Sequence, residues 1–112
     1  MKIAAAYVRV STEEQTELSP DSQVKLIREY AKNGYIVPKE FIFHDDGISG
    51  RSTAKRQGFN QMIGTAKLKP KPFDAILLWK FSRFARNRED SIVYKSMLRK
   101  LGIDVISISE NV

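Results

Sequence analysis

The sequence predicts an α/β domain: three layers, with a mainly parallel sheet of four or more strands and helices on both faces. Two observations carry this. Short apolar runs alternate with longer segments whose apolar residues recur at helical spacing, giving the order βαβαβαβ with short connections. Residues 3–10 and 74–79 are almost continuously hydrophobic, as expected of parallel strands covered on both faces. A length of 112 residues fits one domain with a modest core, and 42% hydrophobic with 29% charged residues is ordinary globular composition.

Residues 3–10 form the first strand: Ile, three alanines and two valines, with neither Pro nor Gly. A polar, acidic loop follows over 12–17. Ser19 caps the first helix, Pro20 suits its first position and Asp21 complements its dipole. Val24, Leu26, Ile27, Tyr30 and Ala31 give it an apolar face, and Asn33-Gly34 ends it. A short second strand at 41–44 follows Pro38 and runs into a loop, 45–56, rich in glycine, hydroxyls and cations. The second helix, 57–67, buries Phe59, Met62, Ile63 and Ala66. An exposed Lys-Pro-Lys-Pro connector leads to the third strand at 74–79. Asn87 caps the third helix, whose expected apolar face is Ile92, Val93, Met97, Leu98 and Leu101; Gly102 stops it before a fourth strand at 104–109.

Lys and Arg outnumber Asp and Glu by 19 to 13, a net charge of +6. Such a balance fits either a plain basic surface or a polyanion partner, and charge alone does not choose. The absence of cysteine excludes disulfides, Cys-based zinc sites and thiol catalysis. No apolar run approaches the roughly 20 residues that span a bilayer. The first residues lack a signal-peptide pattern, so a cytoplasmic protein is the default. Neither a Walker loop nor GxGxxG is present. No Ser-His-Asp arrangement is visible, the only histidine being His44 at a strand end, and Asp45-Asp46 is a weak metal site. No metal or other cofactor is expected.

The reactive residues belong to the strand ends. On an extended strand Tyr7, Arg9 and Ser11 share a face. A charge on a buried strand needs a compensating anion, which makes the partner of Arg9 the central question. In open parallel sheets ligands bind outside the carboxyl ends of the strands. That rule gathers Arg9 and Ser11, the 46–56 loop, the 80–86 segment and residues 109–111 onto one rim. The rim then holds Arg51, Arg56, Lys80, Arg83 and Arg86 around one serine. Arginine forks suit bidentate phosphate contacts, and several of them at a phosphorus centre neutralise its oxygens during in-line attack. Each feature also has an ordinary reading. A strand-end serine is commonly a turn residue, Arg-x-x-Arg a solvated surface, Gln23 an exposed helix residue and Asp46 a loop support. Tyr7 is core with its hydroxyl at the rim, His44 is structural, and Trp79, Phe81 and Phe84 are core. The coincidence of several cationic loops with Ser11 on one rim favours chemistry at phosphate.

Four motifs occur in order: Tyr7-Val8-Arg9-Val10-Ser11-Thr12, Asp46-Gly47-Ile48-Ser49-Gly50, Lys55-Arg56-Gln57-Gly58-Phe59 and Arg83-Phe84-Ala85-Arg86-Asn87. Together they resemble the catalytic domain of the serine recombinases, the resolvase/invertase family, and most of all its large and transposon-type members. The resemblance covers essentially all 112 residues. It implies a site-specific DNA recombinase. Ser11 would attack a DNA phosphodiester to give a 5′-phosphoserine while a 3′-hydroxyl leaves, and strand exchange and religation would follow. Arg9, Arg83 and Arg86 would hold the scissile phosphate. Tyr7, Gln23, Asp46, Ser49 and Arg56 match supporting positions. Double-stranded DNA would be the partner, with a homodimer and a synaptic homotetramer in the full-length protein, and neither metal nor ATP is implied.

Two departures stand out. Many members carry aspartate where this chain has Ser82, and a serine cannot replace its charge. The family's catalytic domain also continues into a long dimer helix and a DNA-binding region, both expected to lie outside residues 1–112. Two other readings of the rim are a noncatalytic module that binds nucleic acid, and a hydrolase for small phosphorylated substrates.

Overall fold

A computed structural model of the chain describes residues 2–11, 19–47, 57–79 and 88–109. Strand β1 (Lys2–Ser11) leads to helix α1 (Pro20–Ala31), then β2 (Tyr35–Ile36), a single 3-10 turn (Lys39–Phe41) and β3 (Ile42–Gly47). Helix α2 (Gln57–Ala66), β4 (Ala75–Leu78), α3 (Arg88–Lys100) and β5 (Asp104–Ser107) complete the order. Among the described residues every pairing is parallel: β2 and β3 both lie along one edge of β1, β4 along the other, and β5 outside β4. The sheet is thus four strands wide, as the alternation predicts, with one outer position shared by two short strands.

The helices take both faces. Ala4, Ala6 and Val8 of β1, with Ala75 and Leu77 of β4, pack under Ile27 and Ala31 of α1. The alternate residues Ala5, Tyr7, Ile76 and Leu78 pack under Phe59 and Met62 of α2 and Leu98 of α3. This split follows from handedness. The chain moves one way from β1 to β3, then back across β1 to β4, and right-handed crossovers place the helices of opposite movements on opposite faces. The reversal puts the topological switch point between β1 and β4.

Local signals set the helix ends. Ser19 Oγ accepts the Ser22 N–H at 3.2 Å, ahead of Pro20 at the first helical position. Gly34 and Gly102 close α1 and α3 at φ +140° and +82°, where a side chain would be strained.

Several expectations need correction. Phe41 ends the 3-10 turn, and β3 continues through Asp45 and Asp46 to Gly47, residues assigned above to a loop. The pairing of Tyr35 and Ile36 with Lys2 and Ile3 was not anticipated. The last strand stops at Ser107. Leu26, Ile92 and Val93 are exposed, at 42%, 60% and 63%, because they lie off the buried stripes of their helices. On α1 that stripe is Gln23, Ile27 and Ala31, at i, i+4 and i+8. On α3, Tyr94, Met97, Leu98 and Leu101 face the core.

Candidate active site

Strand β1 outruns β4. Its pairing with β4 ends at Tyr7 opposite Leu78, whereas its pairing with β3 runs on to Ser11 opposite Gly47. Arg9 and Ser11 therefore lie on an overhang at the carboxyl edge of the sheet, at the switch point, beside the place where the chain leaves β4. This is where open parallel sheets bind ligands.

Three sets of bonds fix the strands at this edge. The first holds β1. Gln23, in the first turn of α1, is wholly buried, and its Nε2 donates to the Arg9 carbonyl oxygen at 3.3 Å. Arg9 itself is half-buried, with its Nε atom enclosed.

The second set holds β3 and α2. Asp45 is the register partner of Arg9 and is only 8% exposed. The Tyr7 hydroxyl donates to its Oδ2 at 2.6 Å. From the start of α2, the Gly58 N–H donates to Oδ1 at 2.8 Å and the Phe59 N–H to Oδ2 at 3.0 Å. A buried carboxylate needs such donors, and the positive end of the α2 dipole adds to them. Glycine at 58 permits the approach: a Cβ there would sit 2.3 Å from the His44 carbonyl oxygen. The ring of Tyr7 meets Phe59 edge-on at 5.5 Å, and Phe59 meets Tyr94 of α3 at 4.8 Å.

The third set holds β4 where the chain leaves it. The Trp79 carbonyl oxygen accepts from the buried Ser107 hydroxyl at 3.2 Å and the Ser109 N–H at 3.1 Å.

Gln23 thus reaches the Arg9 backbone from the α1 side, while Tyr7 bonds Asp45 on the α2 side. Tyr7 differs from expectation: its hydroxyl turns inward to Asp45 rather than opening onto the rim. Gln23 is core, not surface. The backbones of Ser11 and Asp46 lie at the ends of β1 and β3, but their side chains fall outside the described residues. So do Ser49, Arg51, Arg56, Lys80, Ser82, Arg83, Arg86 and Asn87. Sequence reasoning missed Asp45 and Ser107. Asp45 follows the core residue Phe43 by two positions, the spacing that keeps a residue on one face of a strand, but Asp-Asp-Gly reads as a turn. Among the described residues no three His, Cys, Asp or Glu side chains group as a metal site, and no helix is long and apolar enough to cross a membrane.

Among the described residues, an acid with a shifted value lies at the opposite, amino edge. Asp74 is held below its ordinary carboxyl value first by the Ile3 N–H, with burial opposing, and then by Lys71. The Ile3 bond is 3.2 Å and the Lys71 ion pair 3.3 Å. Burial, followed by the charges of Tyr30, Asp104 and Asp74, pushes the Tyr35 phenol up.

The family model described as the resolvase N-terminal domain matches residues 4–112. The chain belongs to the resolvase family. It is 34% identical over 112 residues to the transposon Tn552 resolvase of Staphylococcus aureus; all of this chain is covered but 48% of that protein, so it spans about half the length of that relative. Among solved structures, the N-terminal catalytic domain of TP901-1 integrase superposes with a TM-score of 0.80 at 31% identity, covering 99% of this chain and 80% of that one. A resolvase family site-specific recombinase from Streptococcus pneumoniae gives 0.83 at 29%, covering 100% of this chain and 75% of that one. The resolvase fold is therefore that of this chain, with the parallel sheet and two helical faces expected from its sequence.

Proposed function

We propose that this resolvase-family domain is the catalytic part of a site-specific DNA recombinase. The Ser11 oxygen attacks a DNA phosphorus, the Ser–O–P bond forms, the bond to the 3′ oxygen breaks, and that oxygen leaves as a hydroxyl with the proton. The 5′-phosphoserine keeps the bond energy, so the reverse attack by a 3′-hydroxyl from another strand rejoins the DNA without ATP. Arg9, Arg83 and Arg86 bind the scissile phosphate and offset the charge that develops on it. Arg56, Gln23, Asp46 and Ser49 support them. Gln23 acts through the Arg9 backbone that it holds.

The observation that carries this reading is the overhang. A serine and an arginine two residues apart end a central strand at the switch point of the sheet, in a chain matched by the resolvase model from residue 4 to 112. The substrate is double-stranded DNA, acted on by a dimer that pairs into a tetramer. The compartment is a bacterial cytoplasm, in keeping with the Staphylococcus aureus transposon relative.

The test is trapping on a nicked suicide duplex, using the longest natural polypeptide that carries this sequence. Wild type should form a covalent protein–DNA adduct, and Ser11→Ala should bind the same duplex without forming one. Salt-sensitive binding with no adduct from wild type would favour a noncatalytic module. An adduct that persists in Ser11→Ala would assign the chemistry to another residue.

A further inference from the structure

We infer that Asp45 is a positioning residue for strand transfer, setting the strand that carries Arg9 and Ser11 against the start of α2. The inference rests on the phosphoserine reading of Ser11.

The chemistry of the position argues for more than packing. Phe43, two residues earlier on the same face, is core. An apolar residue at 45 would continue that face, whereas a carboxylate must be desolvated and then satisfied by fixed donors. The donors come from two separate pieces of chain. One is the Tyr7 hydroxyl, two residues before Arg9. The others are the Gly58 and Phe59 N–H groups, 13 and 14 residues beyond Asp45. A helix start is ordinarily capped by the residue just before it. The Gly58 and Phe59 N–H groups of α2 are satisfied from the neighbouring strand. A single side chain spans β1, β3 and α2.

A consequence concerns Tyr7. A phenol has one proton to donate, and this one goes to Asp45 inside a side chain with no exposed surface. Tyr7 then acts on the reaction through Asp45 and not by donating to DNA. Misplacing reacting groups by about 1 Å costs on the order of 100-fold in rate. Loosening the strut should therefore slow the chemical step while leaving DNA affinity, which on a long duplex is spread over many phosphates, unchanged.

The experiment compares wild type, Tyr7→Phe, Asp45→Asn and the double variant in the longest natural polypeptide that carries this sequence. The probe is a set of nicked suicide duplexes tiled across the DNA flanking its gene. Adduct-formation rate at saturating duplex, duplex Kd and melting temperature are read for each. Tyr7→Phe and Asp45→Asn should each slow adduct formation by roughly tenfold or more at unchanged Kd. The double variant should be no slower than Asp45→Asn alone. Wild-type rates in variants that merely melt lower would reduce Asp45 to a helix cap and overturn the inference. Multiplying rate losses in the double variant would give Tyr7 an independent role and overturn it as well. Should Asp45→Asn not fold, Tyr7→Phe, which removes one hydroxyl, decides by the rate-against-Kd split. A wild type that forms no adduct on any duplex overturns the Ser11 reading itself, and is distinguishable because no variant is involved.

Discussion

Gly58→Ala should destabilise the domain although alanine is the better helix former. An ideal Cβ at 58 lies 2.3 Å from the His44 carbonyl oxygen and 2.8 Å from its carbon, about 1 Å inside ordinary contact. His44 is in the backbone of β3, so the helix must give way. A retreat of about 1 Å carries the Gly58 and Phe59 N–H groups beyond hydrogen-bonding reach of Asp45, from 2.8 and 3.0 Å. Two bonds to a charged acceptor contribute about 1.5–3 kcal/mol each, and alanine returns about 1 kcal/mol of helix propensity. The net loss is about 2–5 kcal/mol, a fall in Tm of about 10–20 °C for a domain of this size. Gly64 is the control. It lies exposed in the same helix, and a Cβ added there would meet nothing within 4 Å, so Gly64→Ala should gain about 0.5–1 kcal/mol. Thermal and urea unfolding followed by circular dichroism read both. A Gly58→Ala protein that melts at or above wild type would refute the close approach of α2 to β3.

Gln23→Leu should cost about 1–3 kcal/mol by urea unfolding, since it removes the buried donor to the Arg9 carbonyl. Leu26→Ser, three residues along the same helix but 42% exposed, should stay within about 0.5 kcal/mol of wild type. Asp74 has a folded value below its ordinary 3.8, so its charge stabilises the fold above that value, and the contribution is lost as pH falls through the lower folded one. Urea midpoints measured downward from pH 7 should therefore fall more steeply below about pH 4 in wild type than in Asp74→Asn. Near neutral pH the two should differ by less than about 1 kcal/mol, because the Lys71 pair is partly exposed.

Much of this architecture is legible in the sequence because its signals are local. Ser19-Pro20-Asp21, the Phe59–Ala66 stripe and Gly102 each act within a turn or two, and the structure places the corresponding ends within a residue of expectation. The alternation of β1 gives the two sheet faces correctly, with Tyr7 on one and Val8 on the other. The failures concern distance. Asp45 is read as a turn residue because its partners are a strand two positions back in the register and a helix 13 residues on. Ile92 and Val93 are read as core from their chemistry, although Tyr94, Leu98 and Leu101 define the inward stripe. Gln23 is the reverse case, a polar side chain on the buried i, i+4, i+8 line with Ile27 and Ala31. Asking where a polar residue sits on its helical stripe, before asking what type it is, would have found it.

The most direct measurement is the site of covalent attachment. DNA-linked protein from the suicide-duplex reaction is digested with protease and nuclease, and the residual nucleotide is located by mass spectrometry. A 5′-linked nucleotide phosphate is expected on Ser11, in the peptide that also contains Arg9. Attachment to any other residue, or a 3′-linked phosphate on Ser11, would contradict the proposed chemistry.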